Sequence, residues 1–170
     1  MITKDLSRYP IEGHLTPVGA LTFSKSGGWW RAIVHSEDEY GNEKIRLYLW
    51  RDNDTKGWVT KHKWNIDSDH WAAERRVVED YAGSAVDADT PYFPVQHYNV
   101  VGGETIKKTD DWWTAVVQYE DDYSSTHKTR LYMWQLEDNE AKGTGFKWNV
   151  RSDTWPEERD AVGRYVENLQ

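Results

Sequence analysis

The pentapeptide Arg46-Leu47-Tyr48-Leu49-Trp50 returns 84 residues later as Arg130-Leu131-Tyr132-Met133-Trp134. The match extends in both directions. Upstream, Gly28-Trp29-Trp30-Arg31-Ala32-Ile33-Val34 answers Asp111-Trp112-Trp113-Thr114-Ala115-Val116-Val117. Downstream, Lys63-Trp64-Asn65-Ile66 answers Lys147-Trp148-Asn149-Val150, and Trp71, Glu74-Arg75 and Tyr81 answer Trp155, Glu158-Arg159 and Tyr165. A spacing of 83 to 84 residues held at so many tryptophans means that one unit is written twice. Each copy is too large for a solenoid repeat, and there are only two, so a pair is expected and not an array. Two like units in one chain imitate a homodimer, so the expected form is a monomer acting as an intrachain pseudo-dimer. Residues 83–94, rich in Ala, Asp and Pro, read as the linker. The boundary falls near residue 88, giving units 1–88 and 89–170.

Period-two alternation with β-branched and aromatic residues marks four strands per copy. They are expected at 17–24, 29–36, 44–51 and 58–66, and again at 100–106, 112–119, 128–135 and 144–150. Residues 52–57 and 137–145 read as turns, and residues 1–15 as a polar leader or edge segment. A helix follows each fourth strand, capped by Ser68 or Asp69 and by Ser152 or Asp153. Trp71, Val78 and Tyr81 form an apolar stripe at helical spacing, as do Trp155, Val162, Tyr165, Val166 and Leu169. The fold class is therefore α+β: two tandem units of four antiparallel strands plus a C-terminal helix.

Alternation splits the repeated strand into two faces. Ile45, Leu47 and Leu49 point one way; Lys44, Arg46, Tyr48 and Trp50 point the other. In the second copy Thr129, Leu131 and Met133 oppose Lys128, Arg130, Tyr132 and Trp134. With the aliphatic face against the helix, the opposite face presents Arg46, Tyr48 and Trp50 to solvent. Lys61 and Lys63 flank them from the fourth strand, and Arg31 joins from the second. Arg130, Tyr132, Trp134 and Lys147 are the second-copy set. Cations interleaved with flat rings suit single-stranded nucleic acid, because the cations neutralise phosphates and the rings stack on unpaired bases. The same four rings equally suit an apolar seam between the copies, since interfaces are enriched in Trp and Tyr. The basic residues equally suit a solvated sheet face. Trp29, Trp30, Trp112 and Trp113 are expected in core and edge packing.

The order of four strands then a helix resembles the positive-cofactor-four and Whirly superfamily of single-stranded-DNA-binding transcriptional regulators. Three places carry the resemblance: the Arg-Leu-Tyr-Leu-Trp strand, the turns with Lys56-Gly57 and Lys142-Gly143, and helices opening as Ser68-Asp69-His70-Trp71 and Ser152-Asp153-Thr154-Trp155. The resemblance implies paired units that bind single-stranded DNA or RNA across curved sheets, with transcription machinery as a possible partner.

The net charge of −8 opposes nonspecific attraction to nucleic acid or anionic membranes. The deficit sits in the second copy: residues 1–88 carry 12 basic and 14 acidic side chains, residues 89–170 carry 9 and 15. This acidity departs from the family pattern. With no cysteine there is no disulfide framework or thiolate site. No signal-peptide run or membrane-spanning run is read, so a soluble cytoplasmic protein is expected. None of the six histidines recurs between the copies, and no zinc spacing, phosphate loop or nucleophile elbow occurs. No catalysis, cofactor or metal is expected. Glu37-Asp38-Glu39 and Glu120-Asp121-Asp122 recur, but solvated turns explain them better than Ca²⁺ does. The function expected is single-stranded nucleic-acid binding in transcription or DNA maintenance. The alternative is a protein-interaction or structural module of the same fold that binds no nucleic acid. A carbohydrate-binding sheet ranks below both.

Overall fold

The structure, a computed structural model, describes residues 5–81, 93–95, 98–121 and 124–168. A 3-10 turn at Leu6–Arg8 precedes β1 (Thr16–Ser26), β2 (Trp29–Glu37), β3 (Glu43–Asn53), β4 (Gly57–Ile66) and α1 (Trp71–Tyr81). The second repeat supplies β5 (Asn99–Lys108), β6 (Trp112–Asp121), β7 (Ser124–Glu137), β8 (Glu140–Val150) and α2 (Trp155–Asn168). The strands form two antiparallel meanders, β1-β2-β3-β4 and β5-β6-β7-β8. This is the α+β arrangement of two ββββα repeats that the alternation and helical stripes imply.

Register confirms the parity of β3. Leu47 stands opposite Ile33 and Trp64, while Tyr48 stands opposite Ala32 and Lys63. In β7, Leu131 stands opposite Val116 and Trp148, and Tyr132 opposite Ala115 and Lys147. Irregularities recur too. β1 shifts at Pro17/Gly19 and Thr22/Ser24, and β5 at Val100/Gly102 and Thr105/Lys107. Bulges at matching places bend both sheets alike.

The turn expected over residues 137–145 is much shorter. Asp138 and Asn139 adopt positive φ of 52° and 65°, so two residues close the β7–β8 hairpin and β8 starts at Glu140. Asp and Asn are among the few non-glycine residues that tolerate this conformation, and two such residues match the strand twist.

Packing divides the chain differently from the repeat. One compact unit comprises residues 1–69 and 160–170, the other residues 70–159. Helix α1, which closes the first repeat, packs on β5 and β6. Its Tyr81 hydroxyl donates to the Gly103 carbonyl at 3.2 Å. The Tyr81 carbonyl, at the helix end, accepts from Gln118 Nε2 at 2.9 Å and Thr129 Oγ1 at 3.0 Å. Those two bonds satisfy an acceptor the helix itself cannot. In the other unit the distal part of α2 meets β1 and β2. Tyr165 lies edge-on to His35 at 6.0 Å, and its ring is 2.8 Å from where a Cβ on Gly19 would sit. The stripe residues Trp71, Val78, Tyr81, Trp155, Val162 and Val166 are buried as their spacing implies. Leu169 lies outside the described residues.

Gly103 shows how closely the second sheet is covered. A Cβ there would fall 2.8 Å from both the Phe93 ring and the Val116 carbonyl oxygen. Backbone cannot retreat as a flexible side chain can. Gly103→Ala is therefore expected to destabilise the fold by about 1–3 kcal/mol, read as a lower urea midpoint at unchanged slope.

Candidate functional site

In the first unit, Tyr48 and Trp50 stack in parallel on β3, ring centroids 5.0 Å apart at 8°. Trp30 on β2 meets Trp50 at 4.9 Å and 55°. Tyr9, from the segment before β1, tilts over Trp30 at 5.2 Å and Trp50 at 6.2 Å. Leu6, Ile11 and Trp58 complete the cover. Trp50 Nε1 donates to the Pro10 carbonyl at 3.1 Å, and Trp30 Nε1 to Thr22 Oγ1 at 3.0 Å. Lys25 Nζ sits 3.9 Å from the Trp30 ring centroid, within cation–π range.

The second unit repeats the arrangement. Tyr132 and Trp134 stack at 4.9 Å and 13°, and Trp113 meets Trp134 at 5.1 Å and 54°. Phe93 takes the place of Tyr9, 5.7 Å from Trp113 and 6.4 Å from Trp134. Trp113 Nε1 donates to Thr105 Oγ1 at 2.9 Å, and Lys108 Nζ lies 4.2 Å from the Trp113 ring.

Tyr48, Trp50, Tyr132 and Trp134 are thus 1 %, 0 %, 1 % and 0 % exposed. The expectation that these rings stand open to solvent is corrected. Their face does turn away from the aliphatic side, but it carries a second core. The cover comes from residues 5–15, read as a polar leader, from Phe93, read as linker, and from Val95 just beyond it. Tyr9-Pro10-Ile11-Glu12 returns as Phe93-Pro94-Val95-Gln96 at the 84-residue spacing, and that repetition is the signal that identifies both covering segments.

The basic residues separate. Arg31 stands directly opposite Leu49, so antiparallel pairing puts it on the aliphatic face, away from Arg46. Lys61 is the extra residue of a bulge, between Thr60 opposite Trp50 and His62 opposite Leu49, and it is exposed. Arg46 and Lys63 do converge. Glu12 lies between them, its Oε1 3.3 Å from Arg46 and 3.0 Å from Lys63 Nζ. The Tyr48 hydroxyl donates to Glu12 Oε2 at 2.7 Å. Arg46 Nε also bonds Asn65 Oδ1.

These contacts fix the protonation states. Burial alone would raise the Glu12 carboxyl, but the bonds from Tyr48 and Lys63 bring it down to about 2, from an ordinary 4.5. Burial pushes the Tyr48 hydroxyl well above its ordinary value, with Glu12 adding to the effect. Glu12 is the residue that charge patterning missed, because one acid in a polar leader has no periodicity.

In the second copy no carboxylate among the described residues pairs with the equivalent guanidinium. Gln96, at the position of Glu12, is neutral and lies outside the described residues. Arg130 Nε donates to Asn149 Oδ1 at 2.7 Å, matching Arg46 and Asn65. Its charge lies against the rings of Tyr119 at 4.8 Å and Tyr98 at 5.2 Å. Burial alone would lower the Arg130 pKa. The Tyr132 hydroxyl and the Tyr119 ring outweigh that and hold it above the ordinary value. Lys147 Nζ lies 5.9 Å from the Tyr132 ring centroid. Beside Arg130 opens a cavity of about 680 Å³, with Lys128, Asn149, Arg151 and Ser152 on its walls.

The first acidic turn is self-contained. Asp38 accepts from the backbone N–H groups of Tyr40 and Asn42, each at 2.9 Å, and from the Asn42 amide at 3.1 Å. Glu120 meets His127 at 2.8 Å. Asp122 lies outside the described residues. Among the described residues no group of three or more His, Asp or Glu side chains is placed to hold a metal, and no helix is long and apolar enough to cross a membrane. Comparison with known protein families and with curated proteins finds no match to this chain.

Two outcomes are expected. Trp50→Ala should cost about 3–5 kcal/mol of stability, as a buried tryptophan does and a solvent-facing one does not. Glu12, whose folded pKa is depressed, stabilises the fold at pH values above 4.5 and loses that contribution as pH falls from 4.5 toward 2. The contribution is roughly 1–2 kcal/mol once the shift is discounted for a group that is only partly buried. Glu12→Gln should therefore be less stable near neutrality, and its stability should fall less steeply than the wild type's across that acid window in denaturant titrations.

Proposed function

We propose that this protein is a non-catalytic interaction module in which the repeated Arg-Leu-Tyr-Leu/Met-Trp strand is a core element and not a platform for single-stranded nucleic acid. The observation that carries this reading is the burial of all four repeated rings beneath segments of the same chain. Base stacking requires an accessible ring face. In the first copy Arg46 and Lys63 are also already paired with Glu12, so a phosphate backbone would have to compete with a carboxylate. The net charge of −8 works in the same direction.

The ββββα order supports the resemblance to the positive-cofactor-four and Whirly proteins as architecture. The covered face is where this chain departs from the way that family is expected to bind strands. Exposed aromatic side chains that a partner could meet include Trp29 and Trp112, at matching positions in the two repeats, 39 % and 38 % exposed, and Tyr40 in the first acidic turn. Trp29 has the Arg51 guanidinium 5.2 Å from its ring. Trp and Arg are the residues most enriched at energetically important interface positions.

Titration of a labelled oligothymidylate at low salt, followed by anisotropy and tryptophan quenching, tests the reading. No saturable binding is expected. Saturable binding that weakens with salt and is lost in Trp50→Ala/Trp134→Ala, with both variants folded, would return the function to single-strand recognition.

A further inference from the structure

The two copies differ most where their shared arginine needs a negative partner. In the first, one carboxylate oxygen of Glu12 sits between the Arg46 guanidinium and the Lys63 ammonium, and the other accepts from Tyr48. In the second, Arg130, Lys147 and Tyr132 occupy the equivalent strand positions. Among the described residues no carboxylate pairs with Arg130, and the buried Tyr132 hydroxyl finds no acceptor. Arg130 lines a cavity of about 680 Å³ together with Lys128, Asn149 and Arg151.

We propose that the second unit holds a binding site for a small oxyanion-bearing ligand, a phosphate or carboxylate group seated on Arg130. The Nε bond to Asn149 and the Tyr98 and Tyr119 rings fix the plane of the guanidinium. A pre-oriented guanidinium presents paired N–H donors that match two oxygens of a phosphate or carboxylate. Lys128, Arg151 and Asp153 also line the cavity, with Asp153 paired to Arg151 at 3.4 Å. The cavity is within the usual size range for small-molecule sites, so it admits the body of a ligand as well as its charged end. The proposal is independent of whether the protein binds oligonucleotides.

Inorganic phosphate and succinate, each titrated at constant ionic strength against chloride, distinguish the two sources of the oxyanion. Calorimetry is expected to give one equivalent bound. NMR shift changes are expected at the Arg130 Nε–H and the Asn149 side-chain amide of the wild-type chain. Saturation by phosphate alone assigns a phosphorylated ligand, and by succinate alone a carboxylate. Arg130→Gln should weaken binding at least about tenfold, the usual effect of losing a charged hydrogen-bond donor. Absence of saturation by both anions in the wild type overturns the site, as do shift changes confined to residues away from Arg130. The shift measurement needs no substitution, so it decides the matter even if Arg130→Gln does not fold.

Discussion

A phenyl or phenol ring laid across a tryptophan pair holds the outer face of each sheet shut. Tyr9 over Trp30 and Trp50, and Phe93 over Trp113 and Trp134, convert a four-stranded meander with one wet face into a sheet with a core on both sides. Without that cover each unit would expose two large indoles and a phenol, an apolar patch of the kind that drives association. Secondary consequences follow from it. Trp30 and Trp113 direct their N–H groups to threonines on the neighbouring strand, and lysines close the edge by lying over the same rings. The chemistry of the buried arginines is then decided by whichever groups accompany the covering segment.

Much of the scaffold was legible because it is periodic. The repeat spacing, the eight strands and the two helical stripes all rest on patterns that run for several turns or pleats, and each has its counterpart in the structure. What was not legible is how the second face of the sheet is used. Alternation places Tyr48 and Leu47 on opposite sides but does not say which side meets water when both are apolar. The covering segment is short and irregular, and its few apolar residues, Tyr9, Ile11 and Leu15, follow no period. It could be recognised only by comparing the copies. Parity within β3 and β4 does not fix the face of Arg31 on β2; its pairing with Leu49 does. The short β7–β8 turn was missed because Asp138-Asn139 sits inside a polar run that reads as loop throughout.

Duplication lets the chain be its own control. Arg46 and Arg130 keep the same asparagine partner, yet one is paired with Glu12 and the other rests on two tyrosine rings. Both solutions stabilise a half-buried guanidinium, but they are not equivalent. A carboxylate cancels the charge, whereas aromatic faces leave it able to attract an anion. The copies have therefore kept a common frame while diverging in the electrostatics of one position.

The helices carry a different lesson. Because Gln118 and Thr129 grip the carbonyl of Tyr81, and Gly19 leaves room for Tyr165, each sheet is completed by the helical residues of the opposite repeat. A single copy of such a repeat would lack helical residues that cover its own sheet and would need a second molecule to lend them. Two copies in one chain make that loan independent of concentration, since the lender and the borrower are always the same molecule.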